Sequence, residues 1–169
     1  MIHLKRNTLN LLQLLLYTTV FLFITNLAAQ PALPNRQITV LPTQPIDFGV
    51  FVVNGGGTIK VDYQGNLTTV GVISINTTTV TPAIFEIKLC QGRNVTIVYD
   101  YSVMLNGSNG GQLELIIGPT EKGISGDEFP VDNNCDFITI LRVGGTLVVP
   151  SNAVPGVYIG SFPITFTQE

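Results

Sequence analysis

Two cysteines, Cys90 and Cys135, are the only thiols in the chain and the first candidates for covalent chemistry. A bridge between them would close a loop of 46 residues, which the chain-entropy model values at about 4 kcal/mol of stability. The alternative is two small unpaired side chains, because spacing along a sequence does not give the distance between two sulfur atoms. We therefore predict a structural disulfide and leave unpaired thiols as the alternative.

A second candidate is the acidic segment 126–136, whose carboxylates could bind calcium. Calcium prefers about six to eight oxygen ligands, and the candidates here are Asp127, Glu128, Asp132 and Asp136. The spacing lacks the central glycine and the final glutamate of an EF-hand loop. A solvated surface loop within a long connection, 118–136, is therefore the favoured interpretation, and calcium binding is the alternative.

Catalysis is the third possibility, and the composition argues against it. His3 is the only histidine and lies in the first 29 residues, so the rest of the chain has no usual base for a Ser or Cys nucleophile. A pair of carboxylates, as in glycosidases, would remain. However, Asp62, Glu86 and Glu114 occupy alternating polar positions that a solvated face explains. We predict a protein that is not an enzyme and has no catalytic residue and no cofactor, with an acid-only hydrolase as the alternative.

The first 29 residues determine where the rest of the chain would work. Lys5 and Arg6 precede an apolar run over 11–27, which is followed by small residues up to Ala29. This is the layout of a secretory signal peptide, and the run is shorter than the roughly 20 residues of a membrane anchor, the alternative interpretation. We predict cleavage after Ala29 and export to the periplasm, the outer surface or the medium. An oxidising compartment also favours the disulfide.

The chain that remains after cleavage is acidic and has the size of one domain. It keeps six basic residues against eleven acidic ones, a formal charge of −5. Without a basic patch, neither nucleic acid nor an anionic membrane is an expected partner, and we expect no membrane insertion after cleavage. About 140 residues are enough for one hydrophobic core. We predict an extended, proline-containing leader over 30–35 and a single domain over 36–169.

Alternation with a period of two dominates the predicted domain. Apolar and polar residues alternate in runs that include 59–63, 83–89, 95–99, 113–117 and 158–167. One apolar and one polar face is typical of a half-buried antiparallel strand. Turn signals separate about nine to ten such runs, a pattern typical of a sandwich. We predict an all-β, antiparallel sandwich of immunoglobulin-like or pilin-like type, with little helix outside the signal peptide.

Glycine-rich segments mark the predicted turns. Asn54–Gly57 is expected to form a hairpin turn, and Gly144-Gly145 is a further expected reversal, because glycine adopts tight turns without steric cost. Pro163 lies inside the last alternating run and has no N–H to donate. That run is therefore expected to be an edge strand, or to have its amide at Pro163 point away from any neighbour.

Motifs near both ends of the predicted domain resemble a known family. They are Ile46-Asp47-Phe48-Gly49, Gly55-Gly56-Gly57-Thr58-Ile59-Lys60-Val61, Val143-Gly144-Gly145-Thr146-Leu147-Val148-Val149-Pro150 and Pro155-Gly156-Val157-Tyr158-Ile159-Gly160-Ser161-Phe162. This pattern is similar to a family of exported bacterial domains of unknown function. In that family an I-x-F-G strand opens the domain, and G-G-x-L-x-V and P-G-x-Y-x-G motifs close it. The family is similar in outline to spore-coat and chaperone–usher pilus subunits, so the resemblance implies a sandwich that assembles by donated strands, without known catalytic residues.

Together these features predict an exported structural or adhesive surface protein whose partners are copies of itself or other surface subunits. The segment 36–41 alternates like a strand and follows the leader, so it could pair within its own sheet or add to the edge of a neighbouring subunit. Pairing within its own sheet is the default. The alternative function is a secreted binding module that holds calcium or a glycan with the 118–136 loop.

Overall fold

The computed structural model describes residues 15–17, 38–90, 94–132, 134 and 136–168. The chain divides into two compact units, Met1–Pro34 and Asn35–Glu169. In the first unit the described residues 15–17 are helical; the rest of the predicted signal peptide, and all of the predicted leader, lie outside the described residues. No helix among the described residues is both long enough and apolar enough to cross a membrane.

The second unit is built from strands. They are β1 (Ile38–Gln44), β2 (Val50–Val61), β3 (Leu67–Asn76), β4 (Ala83–Leu89), β5 (Asn94–Tyr99), β6 (Ser102–Gly107), β7 (Gln112–Thr120), β8 (Glu128–Pro130), β9 (Thr139–Val149), β10 (Tyr158–Ile159) and β11 (Ile164–Gln168). The described part of the chain thus holds eleven strands where the sequence predicts nine to ten. β8 has three residues, which is too short for alternation to reveal, and the two-residue β10 shares one predicted run with β11.

All strand pairs are antiparallel, and they form two sheets. The larger follows the order β1-β4-β9-β7-β6-β10, with β2 also paired to β9 and β3 paired to β2; the smaller follows the order β11-β5-β8. On one side β9 pairs with β7 along most of its length. On its other side it pairs with β4 up to Val143 and with β2 from Gly145 onward. The central strand therefore changes partner at Gly144.

The core lies between the two sheets. Alternate residues of both sheets are buried in one cluster, which includes Ile59, Ile87, Leu113, Leu141 and Leu147 from the larger sheet and Val95, Ile97 and Phe129 from the smaller. The ring of Phe85 on β4 packs against Phe162 and Phe166, with centroids 6.5 and 6.0 Å apart. Because the period-two pattern places one face of each strand inward, the predicted all-β sandwich is confirmed. Its two layers are unequal, with eight strands against three.

The prediction that two glycine segments form turns is wrong. Asn54–Gly57 lies inside β2, where it forms a bulge: Val53 pairs with Val72 and Thr58 with Val70, so four residues oppose Gly71 alone. Gly144 and Gly145 lie inside β9. A Cβ atom on Gly144 would stand 2.7 Å from the carbonyl oxygen of Val61. These glycines permit close backbone contact between strands instead of chain reversal.

The last alternating run is divided between the two sheets. β10 pairs with β6 in the larger sheet, whereas β11 pairs with β5 in the smaller. Pro163 lies between them, immediately before β11, and β11 is an edge strand, as the sequence predicts. The opening motif Ile46–Gly49, which the family resemblance predicts to be a strand, instead links β1 to β2. A single bridge pairs Asp47 with Thr81.

The turn between β2 and β3 is organised by Asp62. Its carboxylate accepts hydrogen bonds from the backbone N–H groups of Gln64 (2.9 Å) and Asn66 (2.8 Å) and from the Asn66 side-chain amide (2.8 Å). Partial burial raises the pKa of the Asp62 carboxyl, but the hydrogen bonds from Asn66, Gln64 and Gly65 outweigh it. They hold this pKa below its usual value of 3.8.

Asp62→Ala is expected to lower the free energy of unfolding by about 1 kcal/mol at neutral pH, because the lost hydrogen bonds are charge-assisted but solvated. A carboxyl whose pKa is lower in the folded state than in the unfolded state stabilises the protein at any pH above its unfolded-state pKa. This stabilisation is lost as the pH falls through its folded-state pKa. The difference from wild type should therefore shrink below pH 3.8. Urea denaturation across this range measures it. Gln64→Ala is the control, since that side chain only accepts a 3.3 Å bond from Asn66; equal losses in both variants would contradict the role of Asp62.

Candidate functional site

The structure describes only one of the two cysteines of the predicted disulfide. Cys90 directly follows β4, and it is not a free thiol. Cys135 lies outside the described residues. The Cys90–Cys135 bridge therefore stays a prediction.

The calcium candidates are not gathered into one site. The Asp127 carboxylate accepts a hydrogen bond from the N–H of Ile124 (2.8 Å), and the Asp132 carboxylate accepts one from the N–H of Asn134 (2.9 Å). Glu128 is exposed on β8, and Asp136 is exposed. Among the described residues, no three His, Cys, Asp or Glu side chains are grouped so that they could hold a metal ion. Two of the four carboxylates, those of Asp127 and Asp132, stabilise turns instead.

The connection that the sequence assigns to a long surface loop is partly built into the sheets. β7 continues to Thr120, and β8 pairs with β5, which buries Phe129 and leaves Val131 buried just beyond it. The Ser125 hydroxyl bonds both the N–H and the C=O of Tyr99, at 2.9 and 2.8 Å. Burial raises the pKa of the Tyr99 phenol. A hydrogen bond from the backbone of Ser125 opposes this rise, and the Asp127 carboxylate adds to it. This segment closes one side of the core and is not a freely displayed loop.

A cleft of about 770 Å³ lies between segment 47–53 and segment 151–158. Leu105, Leu113 and Leu147 line it between these two walls. Asp47 is the only carboxylate among its described lining residues, and that group accepts a hydrogen bond from the N–H of Gly49 at 2.7 Å. The volume suits a small ligand, and the lining is mostly apolar; its titratable side chains are Asp47 and Tyr158.

The free edges of the two sheets are the other surfaces that could bind a partner. Within the described part of the chain, β1, β3 and β10 each have one unpaired side in the larger sheet, and β8 and β11 in the smaller. A free edge presents unpaired N–H and C=O groups to any extended strand. The sequence contains the residues of these edges, but only the topology reveals which strands are at the edge.

Strand β1 is the edge that the sequence singles out. It pairs with β4 from Ile38↔Leu89 to Gln44↔Ile84, so the default expectation that this segment pairs within its own sheet is confirmed from Ile38 onward. None of its residues is fully buried, and only Ile38, Val40 and Gln44 are half-buried. Beside it in the same sheet, the cross-strand partners of Val40 and Ile38, which are Ile87 and Leu89 of β4, are fully buried. β1 covers the core without belonging to it.

Comparison with family models gives a match over most of the chain. A family model described as Domain of unknown function (DUF4402) matches residues 38–167, from the start of β1 almost to the end of β11. No curated protein matches the chain, and no solved structure does. The match covers both sheets and every edge described above.

Proposed function

The chain belongs to the DUF4402 family of domains of unknown function, and on that premise we propose that it is an exported, non-enzymatic structural or adhesive protein of the bacterial surface. It assembles with further copies, or with other surface subunits, by strand addition. The leader-like first 29 residues support export. The single histidine within them and the dispersed carboxylates support a role without catalysis.

The observation that carries the proposal is the position of β1. It is the first strand after the leader, it lies at a sheet edge, and it contributes no fully buried side chain. Its departure would uncover the backbone edge of β4 and remove Val40 and Ile38, the cross-strand neighbours of the buried Ile87 and Leu89. The same segment of a neighbouring copy fits that edge in the same register, so exchange replaces every contact that is lost.

Size-exclusion chromatography tests strand exchange on the chain that begins at Gln30. This protein is expected to form oligomers, and deletion of residues 30–41 should convert it to a monomer, since more than half of β1 is lost. Deletion of residues 30–35 alone is the matched control, because it removes the leader and leaves β1 intact; it should keep the oligomers. A monomer with and without residues 30–41 would reject strand exchange.

A further inference from the structure

We propose that β3 is a second contact surface between copies, through which it pairs antiparallel with β3 of another molecule. This inference rests on the proposed function, because that function brings many copies of the chain side by side. It names a surface different from β1, and it can therefore fail independently.

The free edges differ in how well they are protected against pairing. β1 contains Pro42, β10 has two residues, β8 has three and ends in Pro130, and β11 follows directly after Pro163. β6 is paired on its β10 side only at Asn106 and Gly107, which leaves the four residues 102–105 free of described partners on that side. Prolines and short length are usual means of blocking an edge. β3 is ten residues long, has no proline and has no charged residue. Its ladder to β2 shifts register next to Gly71 and Ile75, but its outer edge has no described partner.

Exposed apolar side chains lie next to this edge on one two-stranded ribbon. Val50 and Val52 of β2 are 54% and 47% exposed, and Ile73 and Ile75 of β3 are 57% and 64% exposed. Val52 and Ile73 are direct cross-strand partners. Val70, which is also exposed, extends the row along β3. A clustered apolar surface beside an unpaired edge is characteristic of a contact site.

The absence of charge along this edge removes an obstacle to pairing with a second copy of the chain. Antiparallel pairing about a two-fold axis places β3 against itself, and a charge near that axis would then face its own kind. β3 and the first third of β2, 50–53, have no ionisable residue, although the chain as a whole has a formal charge of −3. A copy can therefore approach here without repulsion between like charges, whereas a charged partner would gain nothing.

The buried area sets the strength of the contact. Pairing along the β3 edge covers the exposed side chains of β3 itself, Val70, Ile73 and Ile75, whereas Val50 and Val52 lie one strand further in. A fully buried aliphatic side chain removes about 60–120 Å² from water, so three half-exposed side chains from each copy amount to about 200–300 Å² of apolar surface. With the backbone edge this stays below the ~1,200 Å² of the smallest stable interfaces. The contact is a weak, reversible dimer that becomes populated where copies are crowded or linked.

Sedimentation measurements over a range of concentrations test the contact, with the chain expressed in full so that any processing takes place. The wild-type protein should show a reversible, concentration-dependent association step, and Ile73→Lys should weaken it by at least about tenfold, because each copy then brings a like charge to the paired edge. Ile124→Lys is the matched control, because Ile124 is 62% exposed on a turn outside β3. The dissociation constant of this variant should equal that of the wild type. Ile75→Lys, at a 64% exposed position, should repeat the effect of Ile73→Lys.

Hydrogen exchange of the β3 amides adds a readout that does not depend on a variant. Protection along 67–76 should rise with protein concentration. Two results would overturn the inference: a wild-type protein that stays monomeric at every soluble concentration, or Ile73→Lys and Ile124→Lys variants that associate equally. If deletion of residues 30–41 abolishes association while Ile73→Lys does not, the β3 contact is wrong and the proposed function stands.

Discussion

Replacement of Gly57 by alanine is expected to lower the free energy of unfolding by at least about 3 kcal/mol, as forced overpacking of a closed core does. A Cβ atom on Gly57 would overlap the carbonyl oxygen of Val70 and would stand 2.8 Å from its carbonyl carbon and 2.9 Å from the Cα of Gly71. These are backbone atoms, so they cannot rotate away. On its other side Gly57 pairs with Val149 of β9. A shift of β2 away from β3 would therefore break the hydrogen bonds between β2 and β9.

Gly55→Ala is the control within the same glycine run. Gly55 has a φ of 86° with nothing within 4 Å of a Cβ, so alanine there should cost only the left-handed strain of about 1–2 kcal/mol. Urea denaturation of both variants gives the comparison. If Gly57→Ala were no more destabilised than Gly55→Ala, β2 and β3 would not approach as closely as described.

Loss of the proposed disulfide should have an effect of similar size. Simultaneous Cys90→Ser and Cys135→Ser substitutions are expected to cost about 4 kcal/mol, because the unfolded chain regains the freedom of a 46-residue loop. Cys90 directly follows β4, so the bridge would tie the acidic segment to a strand at the core. Chemical denaturation without reductant measures the loss.

Thiol titration of the unfolded wild-type protein, without reductant, is the independent check. No reactive thiol is expected, and each single serine variant should show one. Addition of reductant should reduce the stability of the wild type to that of the double variant and leave the double variant unchanged. Two titratable thiols in the unreduced wild type would show that the bridge does not form.

The strands could be predicted from the sequence because their signal is local. In β5 and β7, alternate residues such as Val95, Ile97, Leu113 and Leu115 are buried, and period two alone identifies the inward face. The same pattern predicts the all-β class. Pro163 indicates an edge strand or an amide that points away from any neighbour; β11, which begins directly after this proline, is an edge strand.

The glycine runs could not be interpreted from the sequence because distant partners decide their role. Asn54–Gly57 has the composition of a hairpin turn, but β2 passes through it because Gly71 and Val149 lie on either side. Gly144 looks like a reversal until Val61 is found against it. In each case a contact made far along the chain replaces the local preference for a turn.

The candidate assembly surfaces could be predicted only in part. The segment 36–41 was identified from its alternation and its place after the leader, and β1 begins within it. The edge at β3 was not, since Val70, Ile73 and Ile75 resemble any half-buried strand when no topology is known. β8 was missed because its three residues lie within an acidic stretch.

The partner change of β9 at Gly144 has a consequence for how the polypeptide acquires its shape. Val61 must find Gly145, a separation that makes the search for native contacts slow. β4 cannot dock on its central neighbour before residue 143 is synthesised, and β2 cannot complete its ladder before residue 149. Most of the chain is therefore synthesised before the larger sheet can close, which would suit the proposed export, because a secretion channel passes an unfolded chain.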